Sequence, residues 1–360
     1  MQKRTIKEII RKISKRLFLR SADGIIINKI DEVDIVPTLK CNLNCAMCHQ
    51  AQIKHKESMT LDNFKKIIIK LKGIGVTKIS LVGGEILVLP DIWNMIEFLE
   101  EMKIKYDLAT NAVLLNDDLI NKIKKLKYLE KISTSIDGDR ILHNKIRGSE
   151  IAYDRTINNI KKLLAAKIRV NVGCVVQKEN FNKLEEIFDN LYSIGVKDIS
   201  FLFELRVNDI QKEVTKKIIK KITGKDAEIY ISSTKNRLGE LTEEELMLIT
   251  SKFEKIKARA KERGVSIGLP IQLSDKGVLS REYNPRDYTC AIFKGYNLQI
   301  FTKGEFNFCP FISLGDEFSL NNKKPFEIQN SKEYVSLRSA FKNSGVLPIC
   351  RNCCALTKKD

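Results

Sequence analysis

Three cysteines, Cys41, Cys45 and Cys48, fall within CNLNCAMC, and His49 follows at once. As thiolates all three are metal ligands. With His49 they would make a closed zinc site of three cysteines and one histidine. Alternatively, three sulfurs spaced C-x3-C-x2-C on one loop each bind one iron of a cubane, leaving the fourth iron open to a small chelator. Adjacent side chains such as those of Cys48 and His49 diverge, which disfavours zinc. Residues 82–85, VGGE, lie about 37 positions further on. Their two glycines let a backbone approach a ligand closely, and Glu85 can bind an ammonium group. Near the chain's end, Cys290 is followed by Gly304, Cys309 and the pair Cys350-x2-Cys353, with Cys354 adjacent. A hairpin and a tight turn there would bring four thiolates together, for a closed iron–sulfur cluster or a zinc knuckle.

These residues need a frame, and the apolar pattern supplies one. Short apolar runs predict strands at 33–37, 78–82, 105–110, 130–136, 168–176 and 198–203. Helical patterns lie between them, one starting at Thr60 as N-cap and two ending in glycine. Strands alternating with crossover helices imply an α/β arrangement with a parallel sheet covered on both faces, and six of them over residues 31–206 fit a barrel or partial barrel. Active-site residues belong at the C-terminal strand ends. The two cysteine-bearing and glycine-bearing loops follow the first and second strands. Residues 207–289 read as a helical linker or insertion. Residues 296–310 alternate around Lys303-Gly304 as a hairpin, so 290–360 form a small C-terminal α+β hairpin-and-cluster domain.

Residues 1–20 carry eight basic residues and one acidic one, with isoleucines at helical spacing. They read as a basic amphipathic helix within an N-terminal segment 1–30, packing on the protein or touching an acidic partner. The net charge of +18 favours acidic partners, or reflects lysine-rich solvated faces. Aromatics are not interleaved with the basic residues, which speaks against a single-strand nucleic-acid platform. No apolar run is long enough to span a bilayer, and the N-terminus lacks a secretory pattern. A cytoplasmic location is therefore the expectation, and clustered cysteines there are more often metal ligands than disulfides.

The chain resembles the radical S-adenosylmethionine (SAM) enzymes, whose C-x3-C-x-Φ-C signature, in the loop after the first strand of a partial (β/α)6 TIM-type barrel, is matched by Cys41, Cys45, Met47 and Cys48. The resemblance implies that SAM chelates the open iron of a [4Fe–4S] cluster through its amino and carboxylate groups. It places Met47 beside the adenine, and Gly83, Gly84 and Glu85 at the methionine amino group. Ser135 and Asp137 fall where the family binds the ribose, and Arg147 matches a position that contacts the SAM carboxylate. Asn111, in ATNA, fits the family's TNG. For Asn111, Ser135 and Arg147, capping or surface roles remain alternatives. The family usually has proline after the glutamate; Ile86 stands here. Cys290, Cys309, Cys350 and Cys353 resemble the SPASM and twitch extensions and imply one auxiliary [4Fe–4S] cluster that passes electrons. A flavodoxin- or ferredoxin-type electron donor is also implied. Cys174, Glu204 and Arg206 are candidate catalytic residues, each with a packing or ion-pair alternative. His49 becomes a neighbour of the cofactor or substrate. A small polyol, sugar or nucleotide sugar is the preferred substrate class, undergoing oxidation or epimerisation, because only about 32 residues precede the first strand. A ribosomally made peptide is the alternative. A non-catalytic iron–sulfur or zinc protein has no need of the VGGE and SIDG placements.

Overall fold

A computed structural model describes residues 26–49, 57–231, 241–270, 284–290, 298–353 and 355–358. The N-terminal basic helix and Cys354 lie outside these residues. All six expected strands are present: β1 (Glu32–Thr38), β2 (Lys78–Gly83), β3 (Lys105–Ala109), β4 (Leu129–Ser135), β5 (Val170–Val176) and β6 (Asp198–Phe203). They pair in parallel and in sequence order. Along β5 the residues alternate between buried and half-buried. The buried set faces the helices and the half-buried set the barrel interior.

Each crossover helix is written locally. Helix α1 (Leu61–Gly73) starts where the Thr60 hydroxyl accepts the Asn63 N–H at 3.2 Å, and it buries Phe64, Ile67, Ile68 and Leu71. Helix α3 (Asp117–Ile123) is likewise capped, by Asn116, whereas α2 (Ile92–Glu101), α5 (Ala152–Ala165) and α6 (Leu184–Ser193) bury an apolar stripe without a side-chain cap. A short helix absent from the sequence reading, α4 (Arg140–Arg147), is capped by Asp139 and ends at Gly148 with φ +64°.

The sheet is wider than six strands. After α7 (Asp209–Thr223) and the two-residue β7 (Glu228–Ile229), helix α8 (Glu243–Glu262) opens with a capping box of Thr242 and Glu245. It buries Ile249, Phe253, Ile256 and Ala260 and leads to β8 (Ser266–Gly268), which pairs in parallel with β6. Part of the segment read as linker thus supplies a crossover helix and a further barrel strand. At the other edge, β10 (Leu298–Ile300) pairs in parallel with β1 and antiparallel with β11 (Phe306–Asn307). The C-terminal hairpin therefore joins the barrel's own sheet. The nine strands run β11-β10-β1-β2-β3-β4-β5-β6-β8.

Phe201 of β6 is fully buried and meets Phe253 of α8 edge-on at 5.1 Å. Replacing it with alanine should lower unfolding free energy by about 3–5 kcal/mol in chemical denaturation. A loss under ~0.5 kcal/mol, the range of surface changes, would show that α8 is not packed on the sheet.

Candidate active site

The cysteine loop leaves β1 and is fastened on both sides. Toward β2, Gly84 N–H donates to Thr38 O at 2.9 Å and Glu85 N–H to Lys40 O at 2.8 Å. A Cβ on Gly84 would lie 2.1 Å from Lys40 O, so only glycine permits this approach. Toward α4, Ala46 N–H donates to Ile146 O at 2.8 Å. Within the loop, Cys48 N–H donates to Cys45 O at 3.1 Å.

Cys41, Cys45 and Cys48 line one cavity of about 460 Å³. Met47, His49, Gly83, Gly84, Asn111, Ser135, Arg147 and Glu204 share it. Its walls come from the C-terminal ends of β1 to β6, as a barrel of this kind requires. Cys41 Sγ accepts the Leu43 N–H at 3.4 Å and lies 3.9 Å from Asn111 Nδ2. Cys45 Sγ lies 3.9 Å from Arg147 Nη1. Burial pushes the Cys45 thiol up to about 11, although the Arg147 charge pulls it down. A thiolate there needs further positive charge, which bound metal would provide. Among the described residues, no three His, Cys, Asp or Glu side chains are drawn around a single ion position. The thiols are instead arranged around a cavity.

Two buried carboxylates organise the walls, and neither lines the cavity. The side chain of Glu85, read from sequence as an ammonium partner, lies outside the cavity lining and braces the ends of β2 and β3. It is wholly buried and accepts from the Thr110 hydroxyl (2.7 Å), Asn111 N–H (2.6 Å) and Leu87 N–H (3.0 Å). Burial raises its pKa while these bonds oppose the rise. Of the motif, Gly83 and Gly84 line the cavity and the Glu85 side chain does not. Asp137, read as a ribose contact, is likewise internal. Its Oδ1 accepts Val175 N–H at 2.9 Å, and its Oδ2 accepts Arg147 Nε–H at 2.6 Å. Arg147 Nη2 pairs with the same oxygen at 2.5 Å, so the guanidinium is held side-on by the carboxylate. The Arg147 cation, the backbone of Gly83 and Gly84 and the three thiols line the same cavity and fit a cluster with an anionic, polar ligand.

Cys174 sits on the helix-facing side of β5, fully buried beside Asn180, whereas its neighbour Val175 reaches the cavity. Strand alternation thus turns Cys174 away from this cavity, in line with its packing alternative. Glu204 lines the cavity with its Oε2 held by Arg206 Nε (3.0 Å) and Nη2 (2.7 Å). Arg206 itself does not line it.

Several participants carry no motif. Phe311 enters the cavity from the C-terminal region and meets the His49 ring at 5.8 Å. Its own N–H donates to Cys309 Sγ at 3.5 Å. His143 accepts the Asp137 N–H at 3.1 Å. Asn180 donates to Asp137 O and Val175 O at 3.0 and 2.8 Å. Only spatial contact reveals these roles.

The C-terminal cysteines also approach one another. Cys290 ends β9 (Tyr288–Cys290), which pairs with β13 (Leu356–Lys358). Burial pushes the Cys350 thiol well above its ordinary range, reinforced by Cys290 and Cys309 close by. Cys353 N–H donates to Cys350 O at 3.0 Å.

Residues 35–191 match the model of the radical SAM superfamily. The chain is 30% identical over 226 residues to the GTP 3′,8-cyclase of Clostridium perfringens, covering 59% of this chain and 67% of that protein. The chain belongs to the radical SAM superfamily. The cofactors of a radical SAM enzyme are SAM and [4Fe–4S] iron–sulfur. The AdoMet-dependent heme synthase of Methanosarcina barkeri is 29% identical over 161 residues, 44% of this chain and 46% of that protein. The sporulation killing factor maturation protein SkfB of Bacillus subtilis is 25% identical over 161 residues, 44% and 38%. The chain thus spans about half or less of the length of these two relatives. SuiB of Streptococcus suis, bound to the precursor peptide SuiA, superposes with a TM-score of 0.64 at 17% identity, over 95% of this chain and 75% of SuiB. That likeness establishes a shared fold. Among the described residues no helix is long and apolar enough to cross a membrane.

Burial lowers the His143 pKa from 6.5 to about 4, the Arg147 charge adding to the effect. Below pH ~6.5 the unfolded chain takes a proton there that the folded chain refuses. Stability is full above that pH and should fall toward pH 4, by up to ~1.4 kcal/mol per unit from this group. Urea denaturation at two pH values should show a smaller acid loss in His143→Gln; an unchanged loss would remove His143 from the account.

Proposed function

We propose that this radical SAM enzyme modifies a peptide, with Cys41, Cys45 and Cys48 holding the SAM-binding cluster. When bound, cluster and SAM supply a 5′-deoxyadenosyl radical that takes a hydrogen atom from an unactivated C–H bond. The chain's own part is to hold SAM, exclude water and orient the substrate. Met47, Gly83, Gly84, Asn111, Ser135 and Arg147 are positioned for SAM. Cys290, Cys309, Cys350 and Cys353 are the proposed ligands of an auxiliary cluster, with an electron-transfer role and a flavodoxin- or ferredoxin-type donor. Net oxidation is one outcome this would support.

The observation that carries the peptide reading is the apolar wall at the ends of β5 and β6 and across from them: Val175, Leu202, Phe203, Leu205 and Phe311. A polyol desolvated against this wall would forgo hydrogen bonds worth ~1–3 kcal/mol each. An apolar peptide side chain would not. Relatives named for peptide maturation, and a shared fold with SuiB, support the same choice. They reverse the sequence-based preference for a polyol or sugar.

Anaerobic reconstitution with SAM and dithionite tests this. We expect 5′-deoxyadenosine from the intact chain and background levels from Cys41→Ala, Cys45→Ala or Cys48→Ala. Cys350→Ala should still cleave SAM. A pool of synthetic peptides should stimulate cleavage about tenfold, ~1.4 kcal/mol of barrier, where polyols do not. Bound zinc without cleavage, or stimulation by polyols alone, would refute the respective half of the proposal.

A further inference from the structure

We propose that Asp137 is a positioning residue: it holds the Arg147 guanidinium against the Cys45 sulfur and thereby sets the reduction potential of the cluster at Cys41, Cys45 and Cys48. The proposal rests on that cluster assignment and goes beyond it.

Arg147 ends α4, and its guanidinium spans two groups. Nε donates to Asp137 Oδ2 at 2.6 Å, while Nη1 reaches Cys45 Sγ at 3.9 Å. The preceding residue, Ile146, accepts the N–H of Ala46, next to Cys45. Helix end and cysteine loop therefore move as one unit. A Cβ on Gly148 would lie 2.8 Å from Asn44 O, a second close approach that keeps them together.

Asp137 is fixed at every polar atom it has. Oδ1 accepts from Val175 N–H, its own N–H donates to His143 Nδ1, and its carbonyl accepts from Asn180 Nδ2. These partners come from β5, α4 and the turn after β5. The carboxylate is wholly buried. A helix end needs no buried guanidinium for its own sake, and a carboxylate held from three elements leaves the arginine one orientation.

The electrostatics give this orientation a consequence. Reduction adds an electron to a thiolate-ligated cluster already carrying negative charge. A cation and an N–H donor at one ligand sulfur stabilise the reduced state, and hydrogen bonds to sulfur are among the determinants of cluster potential. In a low-dielectric setting the effect is large. Losing Arg147 should make reduction harder. For Asp137 two accounts predict opposite signs. As a bare negative charge, its removal would ease reduction. As the residue holding Arg147, its removal frees the guanidinium and makes reduction harder.

The test is an EPR-monitored redox titration of the reconstituted full chain without SAM, following the signal component that later addition of SAM perturbs. Arg147→Met should shift the reduced-to-oxidised ratio at fixed potential by about tenfold toward oxidised, 59 mV for one electron. Asp137→Asn should shift it the same way, and should not shift it further toward oxidised when Arg147 is already methionine. Arg147→Lys, which keeps the charge without the fork, should fall between. A shift toward reduced in Asp137→Asn, or none in Arg147→Met, overturns the proposal. So does failure of every Arg147 variant to hold iron while its circular dichroism is unchanged, since Arg147 would then be a scaffold residue. If the cluster assignment itself is wrong, the unsubstituted chain will show no component that SAM perturbs, a different outcome.

Discussion

Two carboxylates buried at strand ends must find partners, and the mouth of the barrel is built around that requirement. Glu85 joins the end of β2 to the end of β3 through Thr110 and Asn111. Asp137 joins the end of β4 to β5 and to α4 through Val175 and Arg147. Removing one partner of a buried ion pair such as Asp137–Arg147 typically costs about 3–5 kcal/mol, and leaving a buried hydrogen-bonding group such as Glu85 unsatisfied about 1–3 kcal/mol. These contacts are therefore rigid, and what they present is held rigidly too. Glu85 fixes Asn111, which reaches Cys41, and Asp137 fixes Arg147, which reaches Cys45. The same constraint that satisfies buried charge thus orients donors on two of the three loop sulfurs.

The barrel is completed by residues far along the chain. Strand β10 pairs with β1, which leads directly into the cysteine loop. The strand β12 (Ile312–Ser313) pairs with β7, and Phe311 before it enters the cavity beside His49. The C-terminal region thus contributes Phe311 to the wall of the cavity, with Cys309 two residues away in the chain.

Much of this was legible in the sequence. The six central strands are apolar runs bounded by glycine and polar residues, and their crossover helices carry capping residues such as Thr60. The three loop cysteines and VGGE stand at consecutive strand ends, so their convergence follows from barrel topology. The hairpin read over 296–310 is present as β10 and β11, but its pairing with β1 did not show, and β8, with three residues, is too short for a periodic signal. The site's inner logic was hidden for another reason. A motif residue is read as touching ligand, yet Glu85 and Asp137 are consumed by backbone amides and a guanidinium. Cys174 looked available until strand alternation placed it against the helices. Phe311, His143 and Asn180 act through contacts across 6 to about 260 positions of sequence, which no local pattern encodes.

The account's central claim is that the loop cysteines leave one position for SAM and that His49 does not take it. The direct measurement is electron–nuclear double resonance on the reduced, reconstituted protein, comparing SAM labelled with ¹⁵N at its amino group with protein labelled with ¹⁵N in histidine. The account predicts strong coupling from the SAM nitrogen and none from histidine. Strong histidine coupling, unchanged by SAM, would contradict it.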